Sequence, residues 1–225
     1  MDASDILVGV GGLFWIACYI CIIWINAKSR ATYSMPIVAL GLNFGWELTY
    51  SVFDLPRVIS SKSVDPSYII NWIWVALDIG IVYLTIRNLK TSESLEFQSS
   101  WVRKHIYKTF FAIFVLSLSM HLVLKSDLGS QNGAAYSAYG INAYMSIAFV
   151  LMLLERRSVR GQNWFIAWSK FLGTFLASIG AYIGGTTSAS MVWLYIVCAV
   201  VDVFYVILVH VFASPRISEK YRGIL

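Results

Sequence analysis

The chain has 225 residues, of which 58% are hydrophobic and 13% are charged, and its mean hydropathy is +0.69. This composition excludes an ordinary soluble domain and predicts a polytopic membrane protein. The net charge of +5 requires no nucleic-acid partner, because membrane proteins collect Lys and Arg on their cytoplasmic loops. All three cysteines fall inside apolar segments, so we expect neither a disulfide framework nor a zinc site.

Seven apolar segments are long enough to span a bilayer. In chain order they cover residues of about 5–26, 35–54, 68–88, 104–125, 134–154, 164–184 and 190–212. The connectors are short, so the sequence predicts an all-α bundle of seven transmembrane helices in one domain, residues 1–225. The longest connector, about 89–103, is rich in Ser, Thr and Glu, and we expect a surface loop or a short interfacial helix there.

The basic residues predict the orientation of the bundle. One side of the membrane would receive twelve Lys and Arg residues and the other side three. The positive-inside rule then places the N-terminus outside or in a lumen and the C-terminus in the cytoplasm. In the sixth segment, Gly173, Ala177 and Ala181 form a small-residue face suited to close helix packing. Lys170 falls near the cytoplasmic end of that segment, where we expect its ammonium group to reach the interface.

The second segment carries a carboxylic acid about two turns deep. Asn43, Glu47 and Tyr50 are spaced i, i+4, i+7 and share one helix face. A charge at that depth costs several kcal/mol, so an intramembrane Glu indicates a functional site. The alternative is a structural Glu that is hydrogen-bonded to a neighbouring helix.

Four further segments carry polar groups at overlapping depths. These are Trp74 and Asp78 in the third, Ser117 and His121 in the fourth, Tyr139, Asn142 and Ser146 in the fifth, and Asp202 and Tyr205 in the seventh. Lipid cannot solvate such groups, so we expect them to converge on the bundle interior. Asn142 and Ser146 could instead only bridge helices, Asp78 could be a structural partner, and we expect water to reach His121 at the outer surface. Asp202 has no basic residue in its own segment, which favours a function for it.

The interior therefore offers acids and almost no base. No Lys or Arg lies at the depth of Glu47, and burial and mutual repulsion favour a protonated carboxyl group, the form that a general acid requires. Walls of Trp, Tyr and Phe attract cations. A protonated carboxyl group in such a cavity suits protonation of an alkene or an epoxide, with the carbocation steered into ring closure. The same residues would suit a proton-coupled transport path.

Several motifs are absent from the sequence. Asp54 and Asp65 are isolated, so the chain has no aspartate-rich Mg²⁺ motif for ionising a prenyl diphosphate. The seventh segment has no lysine for a retinal Schiff base, and no Pro-Gln pair marks a PQ-loop transporter. We therefore expect no metal and no other cofactor.

One motif is familiar. Asn-x-x-Trp-Glu at 43–47, after Met-Pro at 35–36, resembles the small seven-span membrane terpene cyclases of fungal meroterpenoid and indole-diterpene pathways, with bacterial relatives in indole-sesquiterpene pathways. The resemblance covers the whole length and includes a lone Asp in the last segment. It implies an integral protein of the fungal endoplasmic reticulum or the bacterial plasma membrane, in contact with membrane lipids.

The resemblance also implies an activity. Family members cyclise a polyprenyl chain, often one with a terminal epoxide, attached to an aromatic, indole or polyketide-derived head group, without a metal. This is isomerase- or lyase-type chemistry of secondary metabolism on a lipophilic prenylated small molecule. The essential acids match Glu47, the leading proton donor, and Asp202, which would orient or re-protonate Glu47 or stabilise charge. The expected cavity residues are Asn43, Trp46, Tyr50, Trp74, Asp78, Tyr139, Asn142 and Tyr205. Gly45, where fungal members often have Ala, is expected to widen the cavity.

An alternative function is a seven-helix carrier without enzymatic activity, either proton-coupled or of the SWEET type. Asp78-Ile79-x-x-Val82 in the third segment resembles Asp202-Val203-x-x-Val206 in the seventh. Such an echo would fit a three-one-three repeat, the plan of SWEET sugar transporters. A receptor-like or assembly protein without chemistry is a third, weaker hypothesis. The terpene cyclase is our preferred one.

Overall fold

A computed structural model describes residues 2–29, 33–61, 66–89 and 99–214, and all regular secondary structure in these residues is helical. The helices are α1 (Ala3–Lys28), α2 (Ile37–Tyr50), α3 (Leu55–Ser61), α4 (Pro66–Leu89), α5 (Ser100–Lys104), α6 (Ile106–Arg156), α7 (Trp164–Ile183) and α8 (Ala189–Ala213). The predicted all-α class is confirmed. Of the predicted connector at 89–103, residues 90–98 lie outside the described residues, and 100–104 form the short helix α5.

Helix α6 contains two of the predicted segments. Gly129 interrupts it with φ 77° and ψ 165°, a conformation that glycine adopts without steric cost. The arms at 106–128 and 130–156 match the predicted fourth and fifth segments. Over the described residues, α1, α4, α6, α7 and α8 are long and apolar enough to cross a membrane. With α2 and the two arms of α6, the bundle has the seven predicted helical segments.

The second segment is shorter than predicted. Helix α2 spans 14 residues, begins after Pro36 and ends at Tyr50, whereas we predicted 35–54. Pro36 suits a helix start, because proline lacks the N–H that a helix interior needs. Residues 51–54 form a turn, which leads into α3.

Helix starts follow capping chemistry. The side chain of Asp2 accepts a hydrogen bond from the Asp5 backbone N–H, and the Asp5 side chain accepts one from the Asp2 N–H, so α1 begins with a reciprocal capping box. Asn163 caps α7 by accepting a hydrogen bond from Ile166 N at 2.8 Å. Ser188 caps α8 in the same way. Each cap supplies a partner to a backbone N–H that has none within the helix.

Helices α1 and α7 pack closely through small residues. A Cβ added at Gly11 would lie 2.6 Å from the carbonyl oxygen of Gly173 and 3.2 Å from Cβ of Ala177. Only glycine permits this approach, so the predicted packing role of Gly173 and Ala177 is confirmed. Since Ser4 Oγ donates to the Gly180 carbonyl while Cys18 lies beside Ile166, the two helices are antiparallel.

Gly45 has a similar packing function, and our expectation that it widens the cavity is wrong. Its missing Cβ faces Ser117 and Leu118 of α6, where an added methyl group would collide with the Ser117 hydroxyl. Ser117 Oγ also donates to the Leu42 carbonyl at 3.0 Å. Gly45 therefore lets α2 approach the first arm of α6.

An ionic cluster fixes the turn that follows α2. Asp54 Oδ2 accepts a hydrogen bond from Arg57 Nε at 2.9 Å, and Asp54 Oδ1 accepts from Lys125 Nζ at 2.9 Å and from Ser130 Oγ at 2.7 Å. Burial opposes ionisation of Asp54, but these hydrogen bonds outweigh it and hold the pKa of the carboxyl group well below its usual range. The cluster joins α2 to both sides of the bend at Gly129.

Candidate active site

A cavity of about 370 Å³ opens between α1, α2, α4, α7 and the second arm of α6. Its wall is largely apolar and aromatic. The aromatic residues in the wall are Trp15, Tyr19, Trp46, Trp74 and Tyr139, and the other polar ones are Asn43, Asn71, Gln131, Asn142 and Thr174. A mostly apolar pocket with a few convergent polar groups is the usual form of a small-molecule site.

Five of the predicted cavity residues line this cavity: Asn43, Trp46, Trp74, Tyr139 and Asn142. The indole N–H of Trp46 donates to the Ala134 carbonyl at 3.1 Å, which fixes its ring in the wall. The ring centroid of Trp74 lies 6.5 Å from that of Trp46. The two indoles therefore form one aromatic corner of the cavity.

Tyr50 and Tyr205 are buried but do not line the cavity. The ring of Tyr50 lies behind Trp46, with the two centroids 5.3 Å apart. Tyr205 donates its hydroxyl hydrogen to Gln162 Oε1 at 3.1 Å and its ring packs against Phe149. The structure thus assigns Tyr205 to the packing of α8 against α6, away from the cavity.

Glu47 and Asp78 meet at a single amide group. Asn43 Nδ2 donates to Glu47 Oε1 at 2.8 Å and to Asp78 Oδ2 at 2.9 Å, although Asp78 belongs to α4 and the other two belong to α2. Both acids are buried, at 1% and 0% exposure, and neither Glu47 Oε2 nor Asp78 Oδ1 has a hydrogen-bond partner among the described residues. We call these three side chains the acidic cluster.

Tyr19 connects the acidic cluster to the cavity. Its hydroxyl oxygen accepts a hydrogen bond from Asn43 Nδ2 at 2.7 Å, and its O–H group donates one to Glu47 Oε1 at 3.3 Å. Tyr19 and Asn43 both line the cavity, whereas the two acids lie directly behind them. Tyr19 was not among the predicted site residues, because nothing in the first segment distinguishes it from the neighbouring aromatic residues.

Asp202 belongs to a second polar site, which we call the ion-pair cluster. Lys170 Nζ lies 2.5 Å from Asp202 Oδ1, and both side chains are 0% exposed. The same Nζ donates to Ser146 Oγ at 2.6 Å and to Asn142 Oδ1 at 3.4 Å. Asn142 lines the cavity, and its Nδ2 donates to Thr174 Oγ1 at 2.8 Å.

The expectation that Lys170 reaches the interface is therefore wrong. The side chain of Lys170 is 0% exposed, and the carboxylate that a buried ammonium group requires is supplied by α8. Asp202 therefore does have a basic partner, and that partner lies on the neighbouring helix rather than on its own. The signal that could have found this pair is a lysine well inside one segment opposite a lone acid in the next.

His121 is also placed differently from our expectation. It is 0% exposed, and its ring lies edge-on to Tyr50 with the two centroids 6.4 Å apart. The close approach of α2 to α6 at Gly45 covers this part of α6, so the imidazole lies in the interior rather than at a wetted surface.

The two polar clusters follow the same plan. In the first, Asn43 of α2 donates a hydrogen bond to an aspartate of α4, the next long helix along the chain. In the second, Lys170 of α7 donates one to an aspartate of α8, again the next helix. Asn43 and Lys170 are each the seventh residue of their helix. This correspondence supports the internal echo between the third and seventh segments.

Comparisons with known proteins agree with the predicted class. A family model described as Pyr4-like transmembrane terpene cyclases matches residues 1–213. The chain is 32% identical over 178 residues to the terpene cyclase dpmpB of Macrophomina phaseolina, which is 78% of this chain and 67% of that protein. It is 28% identical over 212 residues to the terpene cyclase paxB of Penicillium paxilli, covering 90% of this chain and 83% of that protein. It is 25% identical over 205 residues to the terpene cyclase pyr4 of Aspergillus fumigatus, covering 87% and 80%. No solved structure matches the chain.

Proposed function

Since the chain belongs to the Pyr4-like transmembrane terpene cyclases, we propose that it closes rings on a prenyl or epoxyprenyl chain by protonating that chain from Glu47. The chain would be carried by an aromatic, indole or polyketide-derived head group. Terpene cyclisation follows from the family, whereas the initiating acid and the head group are our proposal. The observation that carries it is the acidic cluster directly behind the cavity wall.

The acidic cluster supports a proton donor at Glu47. Glu47 and Asp78 share one amide nitrogen inside the bundle. The side chains that hydrogen-bond to Glu47 are the uncharged Asn43 and Tyr19 and the second acid, Asp78. Two carboxylates held this close in apolar surroundings cannot both remain ionised, as in the shared-proton pair of aspartic proteases. The pair therefore holds a proton for transfer.

Tyr19 supplies a route for that proton. Its hydroxyl group lines the cavity and donates to Glu47 Oε1 at 3.3 Å. When Glu47 is the protonated acid this hydrogen bond reverses, so that Glu47 passes its proton to the phenol oxygen while the phenol passes its own proton to the substrate. An epoxide oxygen receives it as its C–O bond opens; an alkene carbon receives it through the π electrons of its double bond. In both cases a carbocation forms in the cavity.

Ring closure then needs no further reagent. Each neighbouring double bond donates its π electrons to the cationic carbon and forms a C–C bond, and the charge moves along the chain. The faces of Trp15, Trp46 and Trp74 stabilise that charge, by up to about 2 kcal/mol for a dry cation–π contact. Finally a C–H bond adjacent to the cation supplies its electrons to a new alkene, and the carboxylate left in the acidic cluster takes the proton. The net change is an isomerisation.

Asp202 supports the reaction from the ion-pair cluster on the α7–α8 side of the cavity. It has no hydrogen bond to Glu47 among the described residues, so direct orientation of Glu47 by Asp202 is not part of our proposal. The acid next to Glu47 is Asp78.

No three His, Cys, Asp or Glu side chains lie close enough together to hold a metal ion within the described parts of the chain. That cyclisation needs no metal is a prediction, which the assay in excess chelator tests. The orientation with the N-terminus outside is also part of the proposal, and several of its basic residues, such as Arg30, Lys62, Lys90 and Arg216, fall outside the described residues.

Turnover by purified protein in detergent tests this function. We would offer farnesyl- and geranylgeranyl-bearing aromatic or indole substrates, with and without a terminal epoxide, in excess chelator. Cyclised product in the presence of chelator is the expected result. The similar arrangement of the two polar clusters also fits the alternative function, a carrier of the three-one-three type. A carrier would form no product in detergent, where there is no gradient. If the folded protein yields no product from any substrate but transports a solute across the membrane of liposomes, the carrier function would replace the cyclase proposal.

A further inference from the structure

The ion-pair cluster contains a buried lysine that is surrounded by hydrogen-bond acceptors. Around Lys170 Nζ lie three acceptors: Asp202 Oδ1 at 2.5 Å, Ser146 Oγ at 2.6 Å and Asn142 Oδ1 at 3.4 Å. Three acceptors match the three donor hydrogens of an ammonium group. A buried cation requires a paired anion, and Asp202 is the carboxylate that lies against it.

We propose that Asp202 is not a proton donor but the counter-charge of Lys170, and that both act as positioning residues for the cavity wall. This inference rests on the proposed cyclase function and changes the role that the family resemblance assigns to Asp202. Within the described parts of the chain, the other ionisable side chains that interact with the pair are Cys18, Cys198 and Tyr205, whose thiols and phenol carry no charge at neutral pH. None of them can replace Asp202 as the anion.

The ion-pair cluster reaches the cavity through two wall residues. Neither Lys170 nor Asp202 lines the cavity, but Asn142 does, and its carbonyl oxygen accepts from Lys170 while its amide donates to Thr174. Lys170 Nζ also lies 5.6 Å from the ring centroid of Trp15, another wall residue. The lysine thus fixes the orientation of Asn142 and lies behind an aromatic face that would meet the carbocation.

This arrangement explains why the reaction would need Asp202. With Asp202 present, the pair has no net charge. Without it, Lys170 has no counter-charge behind the wall. As an ammonium group it would repel a carbocation and compete with it for the Trp15 ring, and as a neutral amine it would compete for the proton that starts the reaction. Loss of Asp202 would then be harmful because of the lysine that it leaves behind, and loss of the lysine as well would relieve the harm.

A double-variant experiment separates this role from proton donation. We would compare Asp202→Asn, Lys170→Met and the double variant Lys170→Met/Asp202→Asn, since Met approximates the length of the lysine stem and Asn that of Asp. Lys108→Met, at an exposed position, controls for the loss of a lysine. Replacing a buried ion pair as a unit is often tolerated, whereas removing one partner is strongly destabilising.

We expect Asp202→Asn to lower kcat by about 100-fold or more. The double variant should have a kcat at least about tenfold higher than that of Asp202→Asn, and a higher melting temperature than either single variant. A folded double variant that stays as inactive as Asp202→Asn overturns the proposal. So does a double variant that does not fold while Lys108→Met does, because the pair would then be irreplaceable.

A second measurement needs no substrate and so distinguishes failure of this inference from failure of the cyclase proposal. Infrared difference spectroscopy detects the C=O stretch of a protonated carboxyl group. The spectrum of wild type minus Asp202→Asn should contain no such band, because Asp202 carries no proton. A protonated carboxyl band that is present in wild type and disappears in Asp202→Asn would make Asp202 an acid and contradict the inference.

Discussion

Glu47 and Asp78 lie on different helices and are hydrogen-bonded to the same nitrogen atom. That atom is Asn43 Nδ2, at 2.8 Å from Glu47 Oε1 and 2.9 Å from Asp78 Oδ2. In our proposal the two acids form one proton-holding unit behind the cavity wall. Asp78 would then have a function beyond the structural partnership that the sequence left open.

Replacing Asp78 tests this unit. We expect Asp78→Asn to lower kcat by about 10- to 100-fold, because Glu47 loses the second carboxyl group with which it shares the proton. The melting temperature should not fall, since an amide replaces a buried acid of the same size. Asp127→Asn, at an exposed position, is the matched control and should remain fully active. Full activity of Asp78→Asn would mean that Glu47 acts alone.

Tyr19 is predicted to relay the proton. Tyr19→Phe removes only the hydroxyl group that hydrogen-bonds to Glu47 and should reduce kcat by about 100-fold or more, with little change in KM. Steady-state kinetics in detergent measure both constants. Tyr83→Phe removes the same group from a side chain that is 66% exposed and should have no effect. If Tyr19→Phe keeps the wild-type kcat, Glu47 must reach the substrate directly.

The ionic cluster at Asp54 predicts a pH dependence of stability. The folded-state pKa of Asp54 lies below the unfolded value of about 3.9, so its ionised form stabilises the fold above that pH, and this stabilisation disappears as the pH falls towards the folded-state pKa. Asp54→Asn should therefore lower the melting temperature at pH 7. The difference from wild type should shrink progressively below about pH 4. A difference that stays constant with pH would contradict the role of the charge.

Gly45 and Gly140 provide a matched pair for helix packing. A methyl group at Gly45 would collide with the Ser117 hydroxyl, whereas nothing lies within 4 Å of the equivalent position at Gly140. We expect Gly45→Ala to destabilise the fold by about 1–3 kcal/mol and Gly140→Ala to be neutral or stabilising. Thermal unfolding in detergent measures both. Equal effects of the two substitutions would contradict the close approach of α2 to α6.

Sequence patterns predicted the helices and singled out all three residues of the acidic cluster, but they did not pair Asp202 with Lys170. The i, i+4 spacing places Asn43 beside Glu47 on any helix, so this contact needed no structure. The partners that were missed, Tyr19 and Lys170, belong to other helices, and the rotation of one helix against the next cannot be read from spacing within a segment. The same limit explains Gly45, whose function depends on Ser117, 72 residues further along the chain.

The central claim is that Glu47 initiates cyclisation without a metal, and single-turnover product formation by Glu47→Gln in excess chelator tests it most directly. Glu155→Gln, an exposed position, controls for the substitution. We predict that wild type and Glu155→Gln form cyclised product at equal rates and that Glu47→Gln, although folded, forms product at least about 1,000-fold more slowly. Product formation by Glu47→Gln at the wild-type rate, or loss of product from the wild type on chelation, would contradict the claim.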